Sequence, residues 1–200
     1  MRYINESLPI SIEIEKSIFI GQLFPVSSLQ DIQEVIQTLK TEHPKAYHFC
    51  YASMYGEDGQ YANSSDDGEP SRTAGIPILE VLKHHNVTNV LCVVIRYFGG
   101  IKLGASGLVR AYTKAAAESL KHAQFYIKKT VPAYEISFPY SMIGPIDRYL
   151  EEKATILEKI YLENVTYRLY IHDDSNVMDE IHHLCLIIKD LQPITIDINL

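Results

Sequence analysis

The sequence predicts an α+β protein of two small domains, and three observations carry that expectation. Apolar residues switch repeatedly between the alternating period of strands and the three-to-four spacing of helices. The organisation changes around Lys128 to Pro132, KKTVP. Beyond it the expected elements come in the order βαββαβ. With 200 residues, 46% of them hydrophobic, the chain can bury two modest cores. The expected boundaries are residues 1–128 and 132–200.

In the first domain, Ile10, Ile12 and Ile14 alternate with Ser11, Glu13 and Glu15, so the segment from 10 to 24 reads as strand. Ser27 or Ser28 can cap a helix carrying Leu29, Ile32, Val35, Ile36 and Leu39, with Asp31 in its first turn and its end before Pro44. Alternation returns at Tyr47, Phe49, Tyr51 and Ser53. From Gly56 to Gly68 turn formers are so dense that a loop is expected. Ser71 or Thr73 should cap a helix reaching about His85, with Pro77 tolerated in its first turn. Val90 to Ile95 lacks a polar break and reads as a strand covered on both faces. A helix from about Ala105 to His122 should turn Ala105, Leu108, Val109, Tyr112, Ala116 and Leu120 inward, leaving Arg110, Lys114 and Lys121 as a basic stripe.

The second domain reads as a strand at Tyr134, Ile136 and Phe138, a helix over about 142–153, and strands over 155–161 and 165–171 around a turn at Glu163-Asn164. A helix with Val177, Ile181, Leu184 and Ile188 on one face comes next, then a strand with Ile194, Ile196 and Ile198. This order is that of a ferredoxin-like domain.

Residues 1–9 are polar and the longest wholly apolar run is Val90 to Ile95, so a soluble cytoplasmic protein is expected, with no membrane association. Cys50, Cys92 and Cys185 lie far apart in apolar patterns, without zinc-ligand spacing. The eight histidines include no HExxH pair. A formal charge of −7 at pH 7 disfavours a broad polyanion-binding surface and leaves room for a local basic patch.

Two segments can carry chemistry. Ser64 to Thr73 packs Asp66, Asp67, Glu69, Ser71 and Arg72 around Gly68 and Pro70. Its carboxylates could hold magnesium, could fix neighbouring arginines, or could simply build a capped turn. Arg96 to Arg110 joins the buried strand to a helix through Gly99, Gly100 and Gly104, with Lys102 between them. Glycine-freed N–H groups at a helix start can cradle an anion, with Arg96, Lys102 and Arg110 adding charge. Close packing of Gly104 and Gly107 against the sheet would explain the same glycines. Neither the Walker pattern nor the dinucleotide fingerprint is present. If the segments meet, Asp66, Asp67, Glu69, Arg72, Arg96, Lys102 and Arg110 would line one mixed-charge cleft.

The runs His48 to Ala52, Ser65 to Ser71, Thr73 to Leu79, Arg96 to Gly104 and Gly107 to Tyr112 resemble the YigZ/IMPACT family over residues 1 to about 128. The remainder resembles the small C-terminal domain of its bacterial members. The resemblance implies a first domain similar to the second domain of a small-subunit ribosomal protein, and a ferredoxin-like second domain similar to one of an elongation factor. Eukaryotic relatives act in translational control through protein contacts. Arg72 and Ser106 stand where the family usually has glycine.

The expectation is a non-enzymatic regulatory protein that binds RNA or a ribosome-associated partner in translation and needs no cofactor. The alternative is a magnesium-dependent enzyme acting on a phosphate-containing small molecule, with Asp66, Asp67 and Glu69 on the metal. A pure protein-interaction module is the third reading.

Overall fold

A computed structural model describes residues 1–172 and 176–200, and the chain divides into two compact units. Unit 1 comprises residues 1–127 with Asn199 and Leu200; unit 2 comprises residues 128–198. Both units mix helix with sheet.

Unit 1 is built on an antiparallel sheet of β2 (Ile10–Ile14), β3 (Ser17–Pro25), β6 (Val90–Tyr97), β4 (His48–Tyr55) and β5 (Tyr61–Ser65), in that spatial order. β6 is central, and all of Val90 to Arg96 is buried. Its residues alternate between two cores. Cys92 and Val94 face α2 (Gly75–His84) and α3 (Gly104–Lys121), where Phe19, Leu23, Ile78, Leu82, Ala111 and Tyr112 pack. Leu91, Val93 and Ile95 face α1 (Leu29–Glu42), meeting Ile32, Leu39 and Phe49. Burying each such aliphatic side chain contributes about 1.5–3 kcal/mol, so β6 holds both layers together.

The expected strand over 10–24 is a hairpin. Glu15 and Lys16 both take positive φ, 47° and 63°, the backbone of a tight turn without its usual asparagine or glycine. A short β1 (Tyr3–Glu6), which its polar sequence did not announce, pairs with the start of β7 (Gln124–Phe138). α1 begins as expected, with Ser28 and Asp31 in a reciprocal capping box. The expected loop from Gly56 to Gly68 instead contains β5, paired with β4 from Tyr51–Ser65 to Tyr55–Tyr61. Turn composition hid it, because an edge strand needs its ladder bonds more than a hydrophobic face.

Neither Ser71 nor Thr73 caps α2. The Thr73 hydroxyl donates to the Pro70 carbonyl at 2.6 Å, and the helix N–H groups bond to a residue outside the helix. In α3 the buried face is Leu108, Ala111, Tyr112, Ala115, Ala116, Ser119 and Leu120, while Ala105 and Val109 are exposed. The sheet selects the small residues because α3 passes close over Gly21, where a Cβ would lie 2.3 Å from Ser119 Oγ.

Unit 2 continues from β7 with a 3-10 turn (Tyr140–Met142), α4 (Ile143–Leu150), β8 (Ala154–Tyr161), β9 (Val165–Ile171), α5 (Val177–Ile181), a second 3-10 turn (His182–Leu184) and β10 (Ile187–Asn199). The strands lie in the order β10-β7-β9-β8. Ile136, Phe138, Tyr167 and Leu169 pack with Ile146 and Leu150 of α4 and Val177 and Ile181 of α5. α5 is shorter than expected, and Ile188 belongs to β10. Among the described residues no helix is long and apolar enough to cross a membrane.

Candidate functional site

The loop between β5 and α2 turns back over the sheet. Asp66 to Glu69 is a tight turn closed by Glu69 N–H to the Asp66 carbonyl at 2.9 Å, with Asp67 and Gly68 at φ 38° and 88°. This turn points its carboxyl groups at the protein. Asp66 accepts the N–H of Arg72 at 2.7 Å, Ala74 at 3.0 Å and Gly75 at 2.9 Å. It therefore caps α2 from nine residues before the helix's first residue. Burial pushes the Asp66 carboxyl up, but these backbone donors outweigh it and hold the group below its ordinary value. Asp67 accepts the Phe49 N–H of β4 at 2.7 Å, and Lys40 lies 3.7 Å from its other oxygen.

Glu69 goes deepest. Its side chain is 4% exposed and meets the 5% exposed Arg96 of β6 at 2.6 Å. The same oxygen accepts the Tyr112 hydroxyl of α3 at 2.8 Å. His48 stands beside Arg96 in register, its Nε2 3.9 Å from Glu69 and its Nδ1 donating to the Asp67 carbonyl at 2.8 Å. The Cys50 thiol sits 2.9 Å from the Asp66 carbonyl and 3.3 Å from the Tyr112 hydroxyl. Burial raises the pKa of both Cys50 and Tyr112, so the thiol is a structural donor rather than a nucleophile. The Arg96 guanidinium lies 5.3 Å from the Phe19 ring centroid and 5.4 Å from that of Phe98.

The second segment is open. Gly99 rests on the β2–β3 turn so closely that a Cβ would lie 2.0 Å from the Lys16 carbonyl, and its N–H donates to the buried Ser17 hydroxyl at 3.1 Å. Beyond it the backbone is exposed. Gly100 and Gly104 take φ of 88° and 68°, and a Cβ on either would meet nothing within 4 Å. Close packing therefore accounts for Gly99 and not for Gly104. Leu103 at φ −78°, ψ −18° precedes Gly104, an alternation of right-handed and left-handed backbone that aims successive N–H groups at one point. α3 begins there with no side-chain cap and no acidic residue in its first turn. Lys102 is exposed in the same loop, and Tyr47 and Phe98, 66% and 40% exposed, form an edge-on aromatic pair at 6.2 Å.

The anticipated single cleft is thus corrected. Asp66, Asp67, Glu69 and Arg96 form an inner polar network that holds three segments together, while Arg72, Lys102 and Arg110 are exposed outside it. Ser71 is exposed and belongs to neither group's bonding. The three carboxylates expected on magnesium are engaged by backbone N–H groups, Lys40, Arg96 and Tyr112, and among the described residues no three metal-ligating side chains converge. Sequence reasoning missed Ser17, Tyr112, Tyr47 and Phe98. Only Tyr112 carried a signal, as a hydroxyl on a helix's buried stripe that needed a partner.

The Impact N-terminal domain family model matches residues 15–120. IMPACT family member YvyE of Bacillus subtilis (strain 168) is 42% identical over 179 residues, covering 88% of this chain and 82% of that protein. IMPACT family member YigZ of Escherichia coli (strain K12) is 36% identical over 140 residues, 69% of each chain. A crystal structure described as that of a hypothetical protein superposes with a TM-score of 0.61 at 28% identity, covering 91% of each chain.

Proposed function

The chain belongs to the IMPACT family, and from that premise we propose that it is a non-enzymatic regulatory protein of translation that binds RNA through the Phe98–Gly104 loop and the start of α3. The observation that carries this reading is the right-handed then left-handed backbone at Leu103-Gly104, exposed at the start of a helix that has no side-chain cap and flanked by exposed Lys102. Helix dipole and aligned N–H groups favour a phosphate there. Tyr47 and Phe98 add exposed rings on which an unpaired base can stack. A local site of this kind is compatible with the acidic total, because the −7 is spread over the whole chain. The order β10-β7-β9-β8 supports a ferredoxin-like second unit, and the ribosomal-protein likeness of the first is part of the proposal. Cytoplasmic action is part of the proposal.

The test is fluorescence anisotropy with a single-stranded oligouridylate of about 15 nucleotides across a salt series. Affinity should fall as salt rises from about 50 to 200 mM, and Lys102→Glu should weaken it and lower the slope of log K against log salt by about one. Binding that is absent, or indifferent to both salt and Lys102→Glu, would overturn the reading.

A further inference from the structure

A second surface of unit 1 is shaped quite differently. α2 and α3 leave an open groove of about 590 Å³ between them, lined chiefly by Ile76, Pro77, Val81, Val109, Thr113 and Ala117. Val109, Thr113 and Ala117 recur every four residues and form a ridge on α3 beside its sheet-facing side. This explains why Val109, apolar and at helical spacing, is 37% exposed: its stripe faces the groove instead of the core. Cations stand along part of the groove's rim. Arg72 borders it before the start of α2, and His84 and His85 border it at the other end. Burial, then the charges of Arg2 and His84, lower the pKa of His85, so that end of the groove is neutral rather than cationic. Arg110 and Lys114 come directly after Val109 and Thr113 in sequence and stand exposed on the outer flank of the ridge. Among the described residues the groove has one carboxylate, Glu80, and it is paired with Lys83 at 2.9 Å.

Arg72 supplies an independent observation. It holds φ 65°, a left-handed conformation that favours glycine, and yet projects a long cation beside the groove. Its N–H is fixed by Asp66 at 2.7 Å, so the loop sets this backbone and leaves the guanidinium exposed beside the groove.

We propose that the α2–α3 groove docks an acidic amphipathic helix of a partner protein, its apolar residues seated between the two helices and its carboxylates on the Arg72, Arg110 and Lys114 frame. A helix fits because two helical walls present ridges at the spacing a third helix can fill. RNA is the weaker occupant, since among the described residues no phenyl, phenol or indole ring lines the groove to stack a base. A second copy seated groove to groove is weaker too, because it would bring the Arg72, Arg110 and Lys114 cations of both chains together. This goes beyond the RNA-binding reading and uses none of the Phe98–Gly104 loop, so either can fail alone.

The test uses the full chain and a labelled synthetic helix of about 16 residues, with leucines at helical spacing and glutamates on the flanks. Anisotropy should show binding that Arg72→Gly weakens about tenfold while the melting temperature stays or rises, because the substitution relieves the left-handed strain. Arg72→Lys should restore part of the affinity. Val109→Glu, at an exposed position, should abolish binding without unfolding the chain. Peptides with lysine for glutamate, or serine for leucine, should not bind. The proposal is overturned if Val109→Glu binds as the parent does, if the oligouridylate displaces the peptide, if amide shifts on binding map away from α2 and α3, or if sedimentation shows a dimer that Val109→Glu breaks.

Discussion

Glu69 and Arg96 are a charge pair taken almost wholly out of water, so the pair matters most through the damage done when either partner is lost. Glu69→Ala should destabilise unit 1 by about 3–5 kcal/mol, because Arg96 is left buried without its carboxylate and Tyr112 loses its acceptor. Replacing both with methionine should cost much less, and urea unfolding of the single and double variants separates the two outcomes. Asp66→Asn should cost about 2 kcal/mol, since an amide nitrogen cannot accept the Arg72 N–H. Titration adds a direction. Asp31 is held down to about 2, first by the Ser27 N–H and then by the hydroxyls of Ser28 and Ser27. A carboxyl held low in the folded state stabilises above its unfolded pKa near 4 and loses that contribution as pH falls through the folded value. Asp66 is lowered as well, so denaturation midpoints should fall between about pH 4 and pH 2. In Asp31→Asn the acid loss should be smaller.

At the level of elements, two helices start by different means. α1 is capped within its own sequence, and Ser28→Ala should cost about 1 kcal/mol in a thermal or urea melt. α2 is capped by Asp66 from across a loop, so its start depends on the β5 turn being formed. α3 starts without any side-chain cap, which leaves stability unclaimed at the place proposed to meet a phosphate. Gly99→Ala should lift the loop from the β2–β3 turn, because the added carbon meets backbone that cannot rotate aside. A loss of about 1–3 kcal/mol, with amide shift changes spreading from Lys16 to Gly104, is the expected reading.

For the molecule as a whole, both faces of the first sheet are covered by helices of the same unit. Residues 1–127 expressed alone should therefore unfold cooperatively, with coincident circular-dichroism and tyrosine-fluorescence transitions. A non-cooperative melt would show that the remainder of the chain completes that core. Thiol accessibility offers a second global reading. Cys50 and Cys92 are fully buried and their pKa values are raised, Cys92 to about 12, whereas Cys185 is half-buried. Maleimide should label Cys185 first and the other two only in denaturant.

The sequence by itself determined the periods of most elements. β6 and β9 are legible as a solid apolar run and as alternation, α1 through its cap and stripe, and the family through the runs from His48 to Tyr112. These features are local, or repeat at a fixed spacing, so neighbours in the chain suffice to encode them. Tertiary structure decided which side of each candidate segment faces inward. Asp66, Asp67 and Glu69 looked like ligands because their composition is polar, yet a turn with two positive φ values aims Asp66 at the α2 start and Asp67 at β4, and buries the Glu69 carboxylate against β6 and α3. The charges left outside, Arg72, Lys102 and Arg110, are exposed for the same reason: backbone N–H groups and the distant Arg96 and Tyr112 had already satisfied the carboxylates, and no spacing in the sequence records that choice.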